Sequence, residues 1–289
     1  MARKKFARRL REEPVDVTIG EDNEWFRLQY MDPLKRPKNS EIPETLSLMK
    51  TGKDYENLVP FLSGLLLSHR SLKSPRWQWL IRRAGEADKL GVILECAKQS
   101  KRTGLQLSDI EIVQTLFFQL HLAANKAGFK DPVLSKVFGI AKQFVELMET
   151  PEHAVHDVQL DPKRKPFLIG VLLELSSALA VNHNEGVDAS GDALAYAQRL
   201  CAVWEFGNYT TSFDRWPEAD QLLKENIPVL NALRLALQIK GIDRQSQLYA
   251  ALKSNRGQVE EQLKALKEGA PEKVQQKPTL GYSNIGLVF

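Results

Sequence analysis

From about Ile42 to about residue 268 the apolar residues recur at helical spacing, and that pattern restricts the fold more than any other feature of the chain. Leu58, Phe61, Leu62, Leu65 and Leu66 fall at i, i+3, i+4, i+7 and i+8, the one-sided stripe that a 3.6-residue period lays along a helix. Ser74-Pro75 starts the next helix, since a proline in the first turn gives up no internal hydrogen bond, and Trp77, Leu80, Ile81 and Ala84 form its apolar face. Leu90, Ile93, Leu94 and Ala97 point inward from a helix running to Thr103, with Gly104 where a left-handed C-terminal residue is wanted. Ser108 followed by Glu111 has the form of a capping box and opens a helix through Ile112, Leu116, Phe117, Leu120 and Ala124 that stops at Gly128. Asp131-Pro132 opens another, through Val137, Ile140, Ala141, Phe144 and Leu147. After a polar connection at 151–165, helices are expected at about 166–182, 190–206, 217–240, 243–253 and 256–268. Some ten helices without convincing paired strands predict an all-α fold: an irregular right-handed stack of helical hairpins, α-solenoid-like, with extended N- and C-terminal tails.

The tails set the expected organisation. Residues 1–41 read as an extended basic arm, because Pro14, Pro33, Pro37 and Pro43 break helices and the alternation Val15 to Ile19 makes at most one short strand. Trp25, Phe26, Leu28 and Tyr30 are too apolar for a free linker and predict packing along the body or a partner. Residues 42–270 form the helical-repeat domain. Residues 271–289 hold Pro, Gly and Asn breakers yet end in Ile285, Leu287, Val288 and Phe289, which predicts a docking tail.

Charge is unevenly placed. The chain has 40 basic and 36 acidic residues, a net charge of +4. Residues 1–11 alone carry Arg3, Lys4, Lys5, Arg8, Arg9 and Arg11 with no acid, so the remainder is slightly acidic. Such an arm fits an electrostatic anchor for RNA or another anionic surface, an Arg-rich remnant of a mitochondrial presequence, or a solvated terminus. Glu12, Glu13 and Pro14 cut the presequence pattern short. Lys35, Arg36 and Lys38 make a second basic cluster and Lys163, Arg164 and Lys165 a third, while Arg82 and Arg83, between inward Ile81 and Ala84, are expected to point outward. These cations are the candidate RNA-binding residues. Lys98, Lys101 and Arg102 also complement the dipole at a helix C-terminus. Trp77 and Trp79 could stack on bases, but their place on a helix-packing face favours the core.

No sequence motif points to catalysis. A glycine-rich phosphate loop, a nucleophile elbow, a zincin motif and a Rossmann fingerprint are all missing, so no enzyme, cofactor or metal is expected. His153 and His156 lie three apart beside Glu152 and Asp157 with no second ligand cluster at zinc spacing. His121 reads as a core or boundary residue. Cys96 and Cys201, inside apolar helical patterns, read as buried thiols of a reducing compartment. The longest apolar stretch, Pro166 to Val181, is interrupted by Glu174, Ser176 and Ser177 and reads as a core helix and not a membrane span.

Pro75 to Asp109 is about one 35-residue repeat long. Its first helix, its Gly85-Glu86-Ala87 turn and its closing Lys101-Arg102-Thr103-Gly104-Leu105 run resemble a pentatricopeptide repeat, and Asn125-Lys126-Ala127-Gly128 looks like the turn of another such unit. Gly85, Gly128, Gly186 and Gly241 follow at intervals of about 43, 58 and 55 residues, too irregular for a solenoid that reads one base per repeat. The whole profile resembles a component of the fungal-type mitochondrial ribosome: an irregular helical body, a basic N-terminal arm and an apolar C-terminal tail. The resemblance implies rRNA contact through the arm, neighbouring proteins on the body and C-terminal tail, and the mitochondrial matrix as location. The alternatives are a tetratricopeptide-like protein–protein adaptor or assembly factor, which leaves a cytoplasmic location open, and a pentatricopeptide-type organellar RNA-binding translation factor.

Overall fold

The computed structural model describes residues 8–19, 24–28, 38–242 and 244–287. The chain divides into two units, residues 1–49 and 50–289. In the first, residues 8–12 are helical. The single expected strand has a partner: β1 (Asp16–Ile19) pairs antiparallel with β2 (Glu24–Arg27), Asp16 opposite Arg27 and Thr18 opposite Trp25. Sequence alternation marked β1; β2 carries only four residues and no alternation, so pairing rather than pattern defines it. Arg27 Nε donates to Asp16 Oδ1 at 3.0 Å across the ladder, and Leu28 N donates to Val15 O at 2.8 Å, extending it. Helix α1 (Glu41–Ser47) completes this unit.

The second unit is helical throughout its described residues. Two short helices, α2 (Gly52–Glu56) and α3 (Leu58–Leu67), precede four long hairpins. These are α4 (Ser74–Glu86) with α5 (Leu90–Lys98), α7 (Ile110–Lys126) with α8 (Val133–Leu147), α9 (Pro166–His183) with α10 (Asp192–Ala202), and α11 (Trp216–Ala236) with α12 (Ser246–Glu268). Helix α6 (Ser100–Thr103) extends the first hairpin and ends at Gly104, whose φ of +76° is the left-handed cap the sequence asks for. The first helices of the hairpins pack in the order α4, α7, α9, α11, while α5 packs on α8 and α10 on α12. Two layers of stacked hairpins result, with the core between them, as expected for an all-α helical-hairpin fold. The cap of α7 is Asp109, not Ser108: its carboxylate accepts from Glu111 N at 3.0 Å and Ile112 N at 3.3 Å. The Glu111 carboxylate instead accepts from Gln78 Nε2 at 2.8 Å, tying α7 to α4.

Helix α9 is the centre of the stack. It is the one described helix long and apolar enough to cross a membrane, yet it packs against α7, α8, α10 and α11 at once and is buried along most of its length. Apolar residues all round the helix are what burial on all sides requires. Where an extended C-terminal tail is expected, the chain adds α13 (Glu272–Gln276) and α14 (Leu280–Asn284). Helix α14 packs on α11. The Asp220 carboxylate accepts from Gly281 N at 2.9 Å and Tyr282 N at 3.3 Å, satisfying donors at the start of α14, and also takes the Thr279 hydroxyl. Trp216 Nε1 donates to Thr279 Oγ1 at 3.1 Å, and the Trp216 ring meets Tyr282 edge-on. The tail therefore docks on the chain's own body through α14; Val288 and Phe289 lie outside the described residues.

Candidate nucleic-acid interface

Arg3, Lys4, Lys5, Lys35 and Arg36 lie outside the described residues. Arg8, Arg9 and Arg11 are carried on the helical stretch at 8–12, where Arg8 Nε is held by Glu12 at 2.7 Å. Arg9, Arg11 and Lys38 are exposed or nearly so and have no ion pair among the described residues. On the hairpin Trp25 is 65% exposed, so it presents a ring face instead of packing under its own unit.

The body's predicted cations are not equivalent. Arg83 Nη1 reaches Glu86 Oε2 at 3.4 Å on the same helix. Lys163 Nζ reaches Glu149 at 2.8 Å and Asp161 at 3.9 Å, so its charge is answered locally. Arg164 stays exposed. Lys165 stands at the position before α9, without a side-chain capping bond, and acts on Glu225 of α11. Burial pushes the Glu225 carboxyl up, opposed by its hydrogen bond from Gln221 and by the nearby Lys224 and Lys165. Gln114 Nε2 donates to the same carboxylate at 2.6 Å. Arg82 lines a small hollow with Gln78, Gln114, Gln221 and Lys224. The fold thus sets Lys165 and Lys224 near the buried acid Glu225, and Arg82 beside Lys224 in the neighbouring hollow. Lys224 was not among the sequence candidates; its ammonium pairs with Asp220 one turn back on α11 at 3.1 Å.

Other sequence candidates turn out to be structural. Trp77 is 1% exposed and lies in the core; Trp79 is half-buried. His153, placed in a polar loop by its sequence neighbours, is buried. Its Nδ1 accepts from Leu107 N at 3.1 Å and its Nε2 donates to the Ala97 carbonyl at 3.0 Å. The neutral ring with its proton on Nε2 satisfies both bonds, and burial lowers its pKa. The unfolded chain therefore takes up a proton on this ring at higher pH than the folded chain does. The associated stability is complete above about pH 6.5 and is lost as pH falls from there through the depressed folded value. Urea unfolding between pH 7.5 and 5 should show a decline that His153→Gln reduces; an unchanged slope would remove this histidine from the account. Among the described residues no three His, Cys, Asp or Glu side chains stand close enough to hold a metal ion. Both cysteines are free, and burial pushes the Cys96 thiol up to about 12.

A two-layer stack of helical hairpins, its internal polar groups spent on holding helices together, with a basic segment ahead of it in the sequence, is the frame of a binding and scaffolding protein. The family model described as Mitochondrial ribosomal protein mS27 matches residues 1–285, and the chain belongs to that family. It is also similar to the small ribosomal subunit protein mS27 of Neurospora crassa, 27% identical over 225 residues that cover 70% of this chain and 55% of that protein. The chain thus spans about half the length of this curated relative. The resemblance to fungal-type mitochondrial ribosomal proteins is borne out.

Proposed function

We propose that the chain is a structural component of the mitochondrial small ribosomal subunit, working in the matrix, that neutralises rRNA phosphates with its basic arm and holds neighbouring proteins on its helical body. The observation that carries this reading is the acid-free basic stretch at residues 1–11, taken together with the family. Residues 1–11 hold six cations and no acid, and Arg9, Arg11 and Lys38 are left without ion pairs among the described residues. The body's cations at 83 and 163 are matched by acids. Phosphate contacts position a protein on RNA without reading bases, and an irregular hairpin stack suits that role. Arg82 and Arg164, which have no ion pair among the described residues, supply a second, weaker contact for anions on the body, while Lys224 is answered by Asp220 at 3.1 Å.

The test is RNA binding by the full chain across a salt series, with and without residues 1–38. Each phosphate neutralised contributes about 0.7 to the slope of log affinity against log salt on single-stranded RNA. Deleting the arm should flatten that slope by several such increments. An equal slope in both proteins would place the RNA contact elsewhere. Co-sedimentation of the native protein with the small subunit at high salt is the companion result; migration as a free species would sink the ribosomal reading.

A further inference from the structure

Charge within the helical body is as uneven as charge along the whole chain. Residues 70–102, which hold α4 and α5, carry nine cations against three acids, Glu86, Asp88 and Glu95, whereas the rest of the body holds more acids than bases. Two of those three acids are already taken. Arg83 meets Glu86 at 3.4 Å, and Lys126 of α7 meets Asp88 at 3.1 Å. Arg70, Lys73, Arg76, Arg82, Lys89 and Lys98 have no ion pair among the described residues.

Helix α4 aligns part of this charge. It buries Trp77, Leu80, Ile81 and Ala84, so its other side carries Arg76, Trp79, Arg82 and Arg83. Residues three and four apart are neighbours on a helix, which places Trp79 one turn from each of the three arginines. Arg76 is exposed, and the Trp79 ring is only half-buried. Arg76 and Arg83 stand about 10 Å apart along the axis, with Trp79 between them. The first turn of α4 holds no acid, so the positive end of its dipole adds to Lys73 and Arg76. Glu111 of α7 stands beside Gln78, from whose Nε2 it accepts at 2.8 Å. Cations alone take any anion, whether an acidic protein or a phosphate. An aromatic ring set among them favours RNA, whose phosphates meet the cations while a base stacks on the ring. Bases free to stack belong to single-stranded stretches, since a duplex keeps them inside.

We infer that the outer face of α4 is an RNA site on the body itself, holding a single-stranded segment with phosphates against Arg76 and Arg82 and a base on Trp79. The inference rests on the ribosomal reading for where that RNA comes from, and adds to it a folded site apart from the arm. The test uses the full chain with single-stranded oligouridine as the probe, its affinity measured across a salt series. Replacing both Arg76→Gln and Arg82→Gln should flatten the slope of log affinity against log salt by about 1.4, since each phosphate contributes about 0.7. Trp79→Leu should weaken binding about fivefold or more at every salt, with the slope unchanged, because stacking releases no counterions. Trp79→Phe should keep most of the affinity, which separates a stacking ring from a packing one. An unchanged slope in the double arginine variant overturns the inference, as does a Trp79→Leu chain that binds like the parent. Ultraviolet irradiation of isolated small subunits should leave a nucleotide on the peptide that contains Trp79. A protein joined there instead would give this face to a protein and overturn the inference. If deleting the arm flattens the slope and the arginine variant does not, this site alone fails. If all the variants behave as expected but the native protein sediments free of the subunit, the ribosomal reading fails and the site stands.

Discussion

Replacing Glu174 by leucine should destabilise the chain by about 3–5 kcal/mol, the loss expected when a buried hydrogen-bond network is broken at its shared acceptor. Glu174 is fully buried in the middle of α9. Its carboxylate accepts from His121 Nδ1 of α7, at 3.0 Å to one oxygen and 2.7 Å to the other, and from Asn231 Nδ2 of α11 at 2.9 Å. Three neighbouring helices of one layer thus share a single acceptor. Phe118 stacks on the His121 ring at 5.7 Å and Phe129 tilts against it at 6.5 Å, so no solvent stands ready to replace the carboxylate. His121 Nε2 already lacks a hydrogen-bond partner, and losing Glu174 would leave Nδ1 in the same position. Each orphaned buried donor costs about 1–3 kcal/mol, which supports the figure independently. For a chain of this size the change corresponds to a fall in Tm of roughly 10 °C. Pairing Glu174→Leu with His121→Leu should recover part of the loss, because the ring that would lack its acceptor is gone, although Asn231 Nδ2 still loses its bond to Glu174. Urea and thermal unfolding of the single and double variants decide it. A single variant within about 1 kcal/mol of the parent would show that this network does not hold the layer together.

This network also marks where reading the sequence stops. Leu58 to Leu66, Trp77 to Ala84 and Ile112 to Ala124 announce their helices because a one-sided core imposes a period on the chain. Glu174 is visible only as an interruption of the apolar run from Pro166 to Val181. Its partners lie 53 and 57 residues away, and no local pattern encodes that meeting. The break expected between residues 253 and 256 is missing for the opposite reason. Ser254, Asn255 and Gly257 are poor helix formers, but α12 runs through them unbroken from Ser246 to Glu268. Gly257 costs a helix only about 1 kcal/mol relative to alanine. Burial of Leu252, Val259, Leu263 and Leu266 along the helix outweighs that. The arm's cations were legible from composition alone. Which body cations remain unanswered was not, since Lys163 finds Glu149 in three dimensions and Lys165 acts on Glu225 of another hairpin.

Gly170→Ala should be destabilising by about 1–3 kcal/mol, the usual cost of forcing an extra methyl into a packed core, although the same change raises helix propensity by about 1 kcal/mol. Gly170 faces α11 where the two central helices cross. A Cβ built there would lie 2.6 Å from Val229 Cγ2 and 3.2 Å from Val229 Cα. The first clash could be relieved by moving a side chain; the second is with backbone, so the helices would have to separate. Separation would act on the whole stack, because α9 touches α7, α8, α10 and α11 at once. Gly64 in α3 supplies the contrast, since a Cβ there meets nothing within 4 Å. Gly64→Ala should therefore stabilise by about 0.5–1 kcal/mol, the propensity gain alone. Opposite signs for one substitution at two helical glycines would separate packing from propensity within a single protein. Val229→Ala should couple to Gly170→Ala by at least about 0.5 kcal/mol, as residues in contact do, and should relieve only part of the strain because the Val229 main chain stays where it is. If Gly170→Ala raised the stability as Gly64→Ala does, α9 and α11 would not be in close contact at this point, and the spine of the hairpin stack would have to be drawn differently.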